Sequence, residues 1–194
     1  MEIVAATNNS GKAREFAEIL KDADVTVLTM KDVGISAEIA ETGKTFAENA
    51  MIKAKAVSKL CGFPVLADDS GLCVNALDGA PGLYSARFAG ENATDKELRE
   101  KLLKKMLGIT DRSAFFISSV VLLFPGGKSI AAEGKVCGNI LKEERGSGGF
   151  GYDSLFYCDE MGKTFAEATP EEKDKISHRG RAIRELLRKI REEF

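Results

Sequence analysis

A single histidine, His178, is all that the 194-residue chain contains, which argues against a zinc centre built on imidazole ligands. The four cysteines (Cys61, Cys73, Cys137 and Cys158) are widely scattered and form no C-x-x-C pair. They read as buried thiols in a reducing cytoplasm. Net charge is also small: 28 Lys and Arg against 30 Asp and Glu leave −2. That balance gives no general attraction for a nucleic-acid polymer or a membrane surface, so a phosphate-bearing ligand needs a local cluster of Lys and Arg. No apolar run has the length of a transmembrane helix, and the longest, AFFISSVVLLF at 114–124, reads as a long buried strand. The opening MEIVAATNNSGK lacks the basic segment, apolar stretch and cleavage site of a secretory signal, so the expected location is the cytoplasm.

What is present suits a soluble globular enzyme, with 44% hydrophobic and 30% charged residues. Without repeats, low-complexity tracts or an obvious linker, residues 1–194 read as a single domain, with room for two lobes sharing a core. Residues 2–6 predict a strand, TNNSGK a polar turn, and KAREFAEIL a helix with Phe16, Ile19 and Leu20 at helical spacing. VTVLTM alternates as a strand does, and TFAENAMIKAKAVSKLCG predicts a helix with Phe46, Ala50, Ala54, Val57 and Cys61 on one face. FPVLA (63–67) predicts a buried strand ending in the loop DDSGL, and DGAPGLYSARFAGENA an ordered loop or short turns. Thr94 and Glu97 have capping-box spacing at the start of a helix over TDKELREKLLKKML. Pro125-Gly126-Gly127 predicts a hairpin turn into a strand around SIAAEGKVCG. A Gly-rich loop, EERGSGGFGYD, the short strand SLFYC and a mostly helical end from Thr169 complete a mixed-sheet α/β chain.

Five stretches carry residue types suited to chemistry. TNNSGK, where a strand hands over to a helix, offers loop amides, the helix N-terminus and the charge of Lys12 to an anion, although it lacks Walker A spacing. A plain turn and helix start fits that pattern equally well. Asp68 and Asp69 follow a strand, and oxygen ligands of this kind suit a hard cation that keeps waters and substrate phosphates. Taken alone, DDSG reads more simply as an Asx-turn. Glu38, Glu41 and Glu48 surround the flexible Thr42-Gly43; a solvated helix start explains them, and Glu41 is also placed to swing toward a metal. In GSGGFGYD, glycines let backbone approach a ligand while Phe150 or Tyr152 can lie against a purine ring, and the competing reading puts Tyr152 in the core. His178 and Arg179, with Lys173 five residues before His178, form a donor set for a base carbonyl or phosphate, or simply a salt-bridged helix start.

In order along the chain, TNNSGK, ETGKTFAENA, ADDSGL, GAPGLYSARFAG, GGFGYD and EEK followed by ISHRG resemble the inosine triphosphate pyrophosphatase family over nearly the full length. The resemblance implies an elongated mixed β-sheet flanked by helices, two lobes around a central cleft, and a homodimer. It implies Mg²⁺-dependent cleavage of deaminated purine nucleoside triphosphates (ITP, dITP, XTP) between the α- and β-phosphates, which cleanses the nucleotide pool. Carried over residue by residue, Thr7, Asn8, Asn9, Ser10, Gly11 and Lys12 hold the triphosphate, and Asp69 binds metal and activates water with Asp68 beside it. Ser70 contacts substrate, while Phe150, Gly151, Tyr152, Asp153, Lys173, His178 and Arg179 line the base and phosphate pocket. Many relatives carry adjacent acids before the Thr-Gly turn where this chain has Ala40-Glu41, so the second metal ligand stays open between Glu41 and Glu38. A related Maf-like pyrophosphatase with another base preference, or a non-catalytic nucleotide sensor, are the competing readings.

Overall fold

The computed structural model describes residues 1–193. Along them run β1 (Glu2–Ala5), α1 (Ser10–Leu20), β2 (Thr26–Thr29), α2 (Phe46–Ser58), β3 (Val65–Val74), α3 (Asp95–Lys105), β4 (Ser113–Leu123), β5 (Ser129–Ile140), β6 (Phe156–Cys158), β7 (Lys163–Thr164), α4 (Pro170–Ile176) and α5 (His178–Glu193). Side-chain caps start the helices where the sequence places them. Asn9 accepts from the Lys12 amide at α1, Thr45 from the Glu48 amide at α2, and Thr94 and Thr169 form capping boxes with Glu97 and Glu172.

The strands form one mixed seven-stranded sheet in the order β2-β1-β3-β4-β5-β6-β7, flanked by helices. β1 pairs in parallel with both β2 and β3, whereas β6 pairs antiparallel with β5 and β7. The chain divides into two compact units. Unit 1 comprises Met1–Asp69, Ser118–Gly134 and the stretch from Arg179 on; unit 2 comprises Ser70–Ile117 and Lys135–His178.

In unit 1, β1 and the first part of β3 are buried on both faces, as parallel pairing under helices demands. Ile3, Ala5 and Leu66 pack with Phe16 and Leu20 of α1 and Ala182, Ile183 and Leu186 of α5. The alternate residues Val4, Ala6, Val65 and Ala67 pack with Ala50, Ala54 and Val57 of α2. Unit 2 has one core, in which Leu98 and Leu102 of α3 meet Phe116, Ile140, Tyr152, Leu155, Phe156 and Phe165.

Two differences from the sequence expectations concern β3 and the thiols. β3 does not stop at Ala67; it continues through Asp68, Asp69, Ser70 and Gly71 to Val74, and nine of its ten residues are buried. The acids read as a loop because they are charged, yet each finds a buried partner, and strand geometry then continues into Leu72, whose amide is held by Ser85 Oγ at 2.9 Å. The helix start read at His178 and Arg179 is present: Ser177, whose ψ of 157° is extended, separates α4 from α5. Of the four thiols, all free, Cys73 and Cys158 are buried, Cys61 is half-buried and Cys137 is exposed. Cys137 falls on the outward phase of the alternating strand β5. Among the described residues no helix is long and apolar enough to cross a membrane.

Candidate active site

Alternation along β3 sends Asp68 and Asp69 to opposite faces. Asp68 follows Leu66 onto the face covered by α1 and α5. There Lys12 Nζ lies 3.1 Å from its carboxylate and Arg179 donates through Nε and Nη2 at 3.3 and 3.1 Å. Arg179 also pairs with Glu15 of α1 and is only 1% exposed. Asp69 follows Ala67 onto the α2 face. Asn49 Nδ2 donates to its Oδ2 at 2.9 Å, and Lys53 Nζ lies 3.8 Å from Oδ1. Lys53 also donates to Glu41 Oε1 at 2.6 Å, which draws the segment before α2 toward the same carboxylate. The Asn49 carbonyl accepts the Gly43 amide at 2.8 Å. Any Cβ on Gly43 would meet Asn49 Oδ1 at 2.7 Å, so this approach needs glycine.

Burial and neighbouring charge divide the roles of the two acids. Burial would raise the Asp68 carboxyl, but Lys12, Arg179 and Lys53 outweigh it and hold the group well below the usual carboxylate range. Asp68 is a permanent anion. Burial pushes Asp69 up, with Glu41 adding to the rise and Lys53 and Asn49 opposing it. Asp69 is thus the more basic of the two carboxylates. Burial lowers Lys12, whereas Lys53 is held up despite burial by Asp68, Asp69 and Glu41.

Lys12, Lys53 and Arg179 face four carboxylates, Glu15, Glu41, Asp68 and Asp69. A cluster with one more carboxylate than cation repels a polyphosphate unless further positive charge is supplied. A divalent cation does so, and the donor set is right for it: Asp69 and Glu41 offer hard oxygens on either side of one ammonium. Two carboxylates suffice for Mg²⁺, which takes its remaining ligands from water and phosphate. Among the described residues no group of three or more His, Cys, Asp or Glu side chains forms a complete protein cage.

The turn before α1 is ordered by its own side chains. The Asn9 amide is held by Thr7 Oγ1 at 3.1 Å, Asn9 Oδ1 accepts from Lys12 N, and Asn8 Nδ2 donates to Ala37 O at 3.1 Å. Ser10 and Gly11 occupy the first turn of α1, where amides face away from the helix and favour an anion.

Unit 2 holds the second set. Asp153 Oδ2 accepts from the Phe150 amide at 2.9 Å and from Lys173 Nζ at 2.6 Å. Lys173 lies over the Phe150 ring, 4.9 Å from its centroid, and over Phe165 at 5.5 Å. Gly149 has φ +71°, and a Cβ there would stand 2.1 Å from Asp153 Oδ2, so the tight turn that aims Phe150 requires glycine. His178 stacks on Phe116 at 4.7 Å and 12°. Tyr152 belongs to the core of this unit, 4% exposed, with its hydroxyl donating to Ser85 O at 2.8 Å. Phe150, half-buried beside the cavity of its loop, is the aromatic available to a flat ligand, and Tyr152 supports the loop from beneath.

The predicted residues thus fall into two sets. Thr7 to Lys12, Glu41, Asp68, Asp69 and Arg179 belong to unit 1, whereas Ser70, Phe150 to Asp153, Lys173 and His178 belong to unit 2. The neighbours His178 and Arg179 part company, one joining an aromatic stack and the other the Asp68 ion pair. Glu38 is exposed, while Glu41 is the acid that Lys53 links to Asp69. Sequence reasoning missed Lys53, Asn49 and Glu15. A signal existed for two of them: Asn49 and Lys53 are four residues apart on the buried stripe of α2, where a polar residue needs a partner.

The sequence pattern of the Ham1 family matches residues 3–189. A dITP/XTP pyrophosphatase of Haemophilus influenzae is 51% identical over 193 residues, covering 97% of this chain and 98% of that protein. One of Desulfotalea psychrophila is 50% identical over 184 residues, covering 95% and 82%. Among solved structures, a HAM1 protein from Coxiella burnetii superposes with a TM-score of 0.88 at 42% identity, covering 99% of both chains. The Ham1 protein of Staphylococcus aureus gives 0.87 at 42% identity, covering 100% of both.

Proposed function

Because the chain belongs to the Ham1 family, we propose that it is a nucleoside triphosphate pyrophosphatase acting on deaminated purine nucleotides, with ITP, dITP and XTP as substrates and monophosphate and pyrophosphate as products. The observation that carries this reading is the buried cluster around β3, in which Lys12 and Arg179 grip Asp68 on one face while Asn49 and Lys53 tie Asp69 to Glu41 on the other.

In this reading the first-turn amides of α1, Lys12 and Lys53 receive the triphosphate and stabilise the charge that develops on it. Asp68, clamped by Arg179, holds Lys12 in position. Asp69 accepts the proton of the attacking water. The new bond joins the water oxygen to the α-phosphorus, and the α–β anhydride bond breaks with its electron pair leaving on pyrophosphate. Asp69 and Glu41 would hold Mg²⁺, which when bound would supply charge neutralisation on the phosphate oxygens and a more acidic water. Glu41 is preferred to Glu38 because of its link through Lys53.

The base is assigned to unit 2, against Phe150. Hypoxanthine and xanthine present a carbonyl at purine position 6, which accepts from donors such as the Lys173 ammonium and loop amides. Adenine presents an amino group there, leaving donor against donor, a mismatch that sites of this type reject by roughly 10⁴ or more. The enzyme is proposed to work in the cytoplasm as a homodimer, a state that sedimentation equilibrium checks.

Incubation with ITP, XTP, ATP and GTP plus Mg²⁺, with pyrophosphate, monophosphate and orthophosphate all measured, tests the proposal. Pyrophosphate from ITP and XTP far in excess of that from ATP is the expected result, and GTP, which shares the 6-carbonyl, is expected to be rejected through its 2-amino group. Comparable kcat/KM for ITP and ATP overturns the base assignment, and preference for other bases favours a Maf-like activity. Tight binding with no product points to a nucleotide sensor.

A further inference from the structure

The loop that carries Phe150 and Asp153 is gripped from outside by helix α3. Gly151 lies at the middle of this loop with φ +60°, and both of its peptide groups are taken by α3 side chains. Asp95 Oδ2 accepts the Gly151 amide at 2.7 Å, and Arg99 Nη1 donates to the Gly151 carbonyl at 2.9 Å. Asp95 and Arg99 are four residues apart, hence stacked on one face of the helix. The Arg99 guanidinium continues to Glu144 at 2.9 Å, and Glu144 accepts from Ser154 Oγ at 2.9 Å. One helix face therefore holds the loop at its centre and, through Glu144, at its far end.

These residues do more than brace a turn. With the backbone of Gly146 to Gly151 and with Phe150, Asp153 and Ser154 they bound a cavity of about 300 Å³. The space suits a flat heterocycle rather than a whole nucleotide. Inside the loop, Asp153 accepts from the Phe150 amide and from Lys173, so any displacement of Gly151 moves the ring, the carboxylate and the ammonium together.

The geometry points to Asp95 and Arg99 as positioning residues that set base selectivity, by fixing the backbone of Gly151 and thereby the spacing between Phe150 and the Lys173–Asp153 pair. The inference rests on the assignment of the base to this loop. A donor–acceptor pattern discriminates between a carbonyl and an amino group only when its atoms are held to a fraction of an ångström. A loop rich in glycine cannot supply that rigidity itself.

The test uses full-length Asp95→Ala and Arg99→Ala, with Asp95→Asn as the conservative variant that keeps an acceptor oxygen. Steady-state kinetics with ITP and ATP are combined with amide hydrogen exchange of residues 149–153, read by NMR on the nucleotide-free protein. Each alanine variant is expected to raise KM for ITP and to narrow the ITP-to-ATP ratio of kcat/KM, both by roughly tenfold as for loss of one charged hydrogen bond. The kcat for ITP stays within about twofold, since the acid–base groups are untouched. Exchange at Gly151 speeds up in both, and Asp95→Asn restores protection and ratio together. Unchanged exchange at Gly151 overturns the grip. Faster exchange with an unchanged ITP-to-ATP ratio overturns the selectivity role while leaving the proposed function standing. A wild-type protein that releases no pyrophosphate from ITP overturns the function itself, and the role of the grip in base selectivity falls with it.

Discussion

The two polar sets of this molecule are built in opposite ways. In unit 1 the polar side chains, Glu41 apart, stand on regular elements: Asp68 and Asp69 on β3, Lys12 and Glu15 on α1, Asn49 and Lys53 on α2, Arg179 on α5. Their positions follow from strand alternation and helix phase, and the network is buried. In unit 2 the central groups sit on a glycine-rich loop whose shape is imposed by Asp153 from within and by α3 from outside. The first design suits chemistry that needs fixed charges in a low-dielectric setting. The second suits recognition, where a loop adapts its backbone to the edge of a flat ligand and is then held there.

Substitutions at the two acids should separate these roles most strongly. Asp69→Asn is expected to lower kcat by roughly 10²–10⁴-fold, as loss of a positioned general base does, with little change in melting temperature. Asp153→Asn should instead raise KM for ITP with a smaller loss of kcat. Equal kcat losses in single-turnover measurements would break the distinction. Next in size is Arg179→Met, which takes the guanidinium from Glu15 and leaves buried Asp68 with Lys12 alone of its two ion-pair partners, and should cost about 3–5 kcal/mol in urea unfolding. Lys173→Met removes the ammonium from Asp153, which keeps the Phe150 amide, and should cost less; the reverse order would contradict the picture of unit 1 as the denser charge network.

The pH dependence of stability should also differ between the units. Asp68 is held below its ordinary value of 3.8, so its contribution is complete above that value and is lost as pH falls through the folded one. Tyr152 is raised above its ordinary 10.0 by burial and by Asp95, so the unfolded chain releases the phenolic proton first and stability falls as pH climbs past 10.0. Asp68→Asn should flatten the acid limb, and Tyr152→Phe the alkaline limb with about 1 kcal/mol lost near neutrality from the missing hydrogen bond. Urea midpoints recorded across pH read both. The smallest expected effect belongs to Asn49→Ala. It frees one Asp69 oxygen and the Gly43 amide and should lower kcat about fivefold, equivalent to roughly 1 kcal/mol.

Much of this was legible from residues alone. Apolar spacing located α1, α2, α3 and β4, and Thr94 with Glu97 marked the start of α3 through a capping box that the structure contains. The ordered motifs pointed to the family that the comparisons identify. The run Asp68-Asp69-Ser70-Gly71 misled the strand assignment because charge and glycine ordinarily end a strand, and the cations that make burial tolerable lie 56 and 111 residues away in sequence. Lys53 was hidden by an ordinary-looking helix, and the Asp95–Arg99 grip by a surface helix whose polar face has no distinguishing pattern.

The sequence by itself determined most of the elements, the hydrophobic phase of the helices, and the presence of a polar turn before α1, a paired acid and a glycine-aromatic loop. These depend on local propensity and periodicity, which neighbouring residues encode. Only the tertiary structure decided that Asp68 and Asp69 meet different partners on opposite faces of β3. That difference arises from which faces of one strand meet which helices, and so from long-range packing that brings Arg179 to one side and Asn49 and Lys53 to the other.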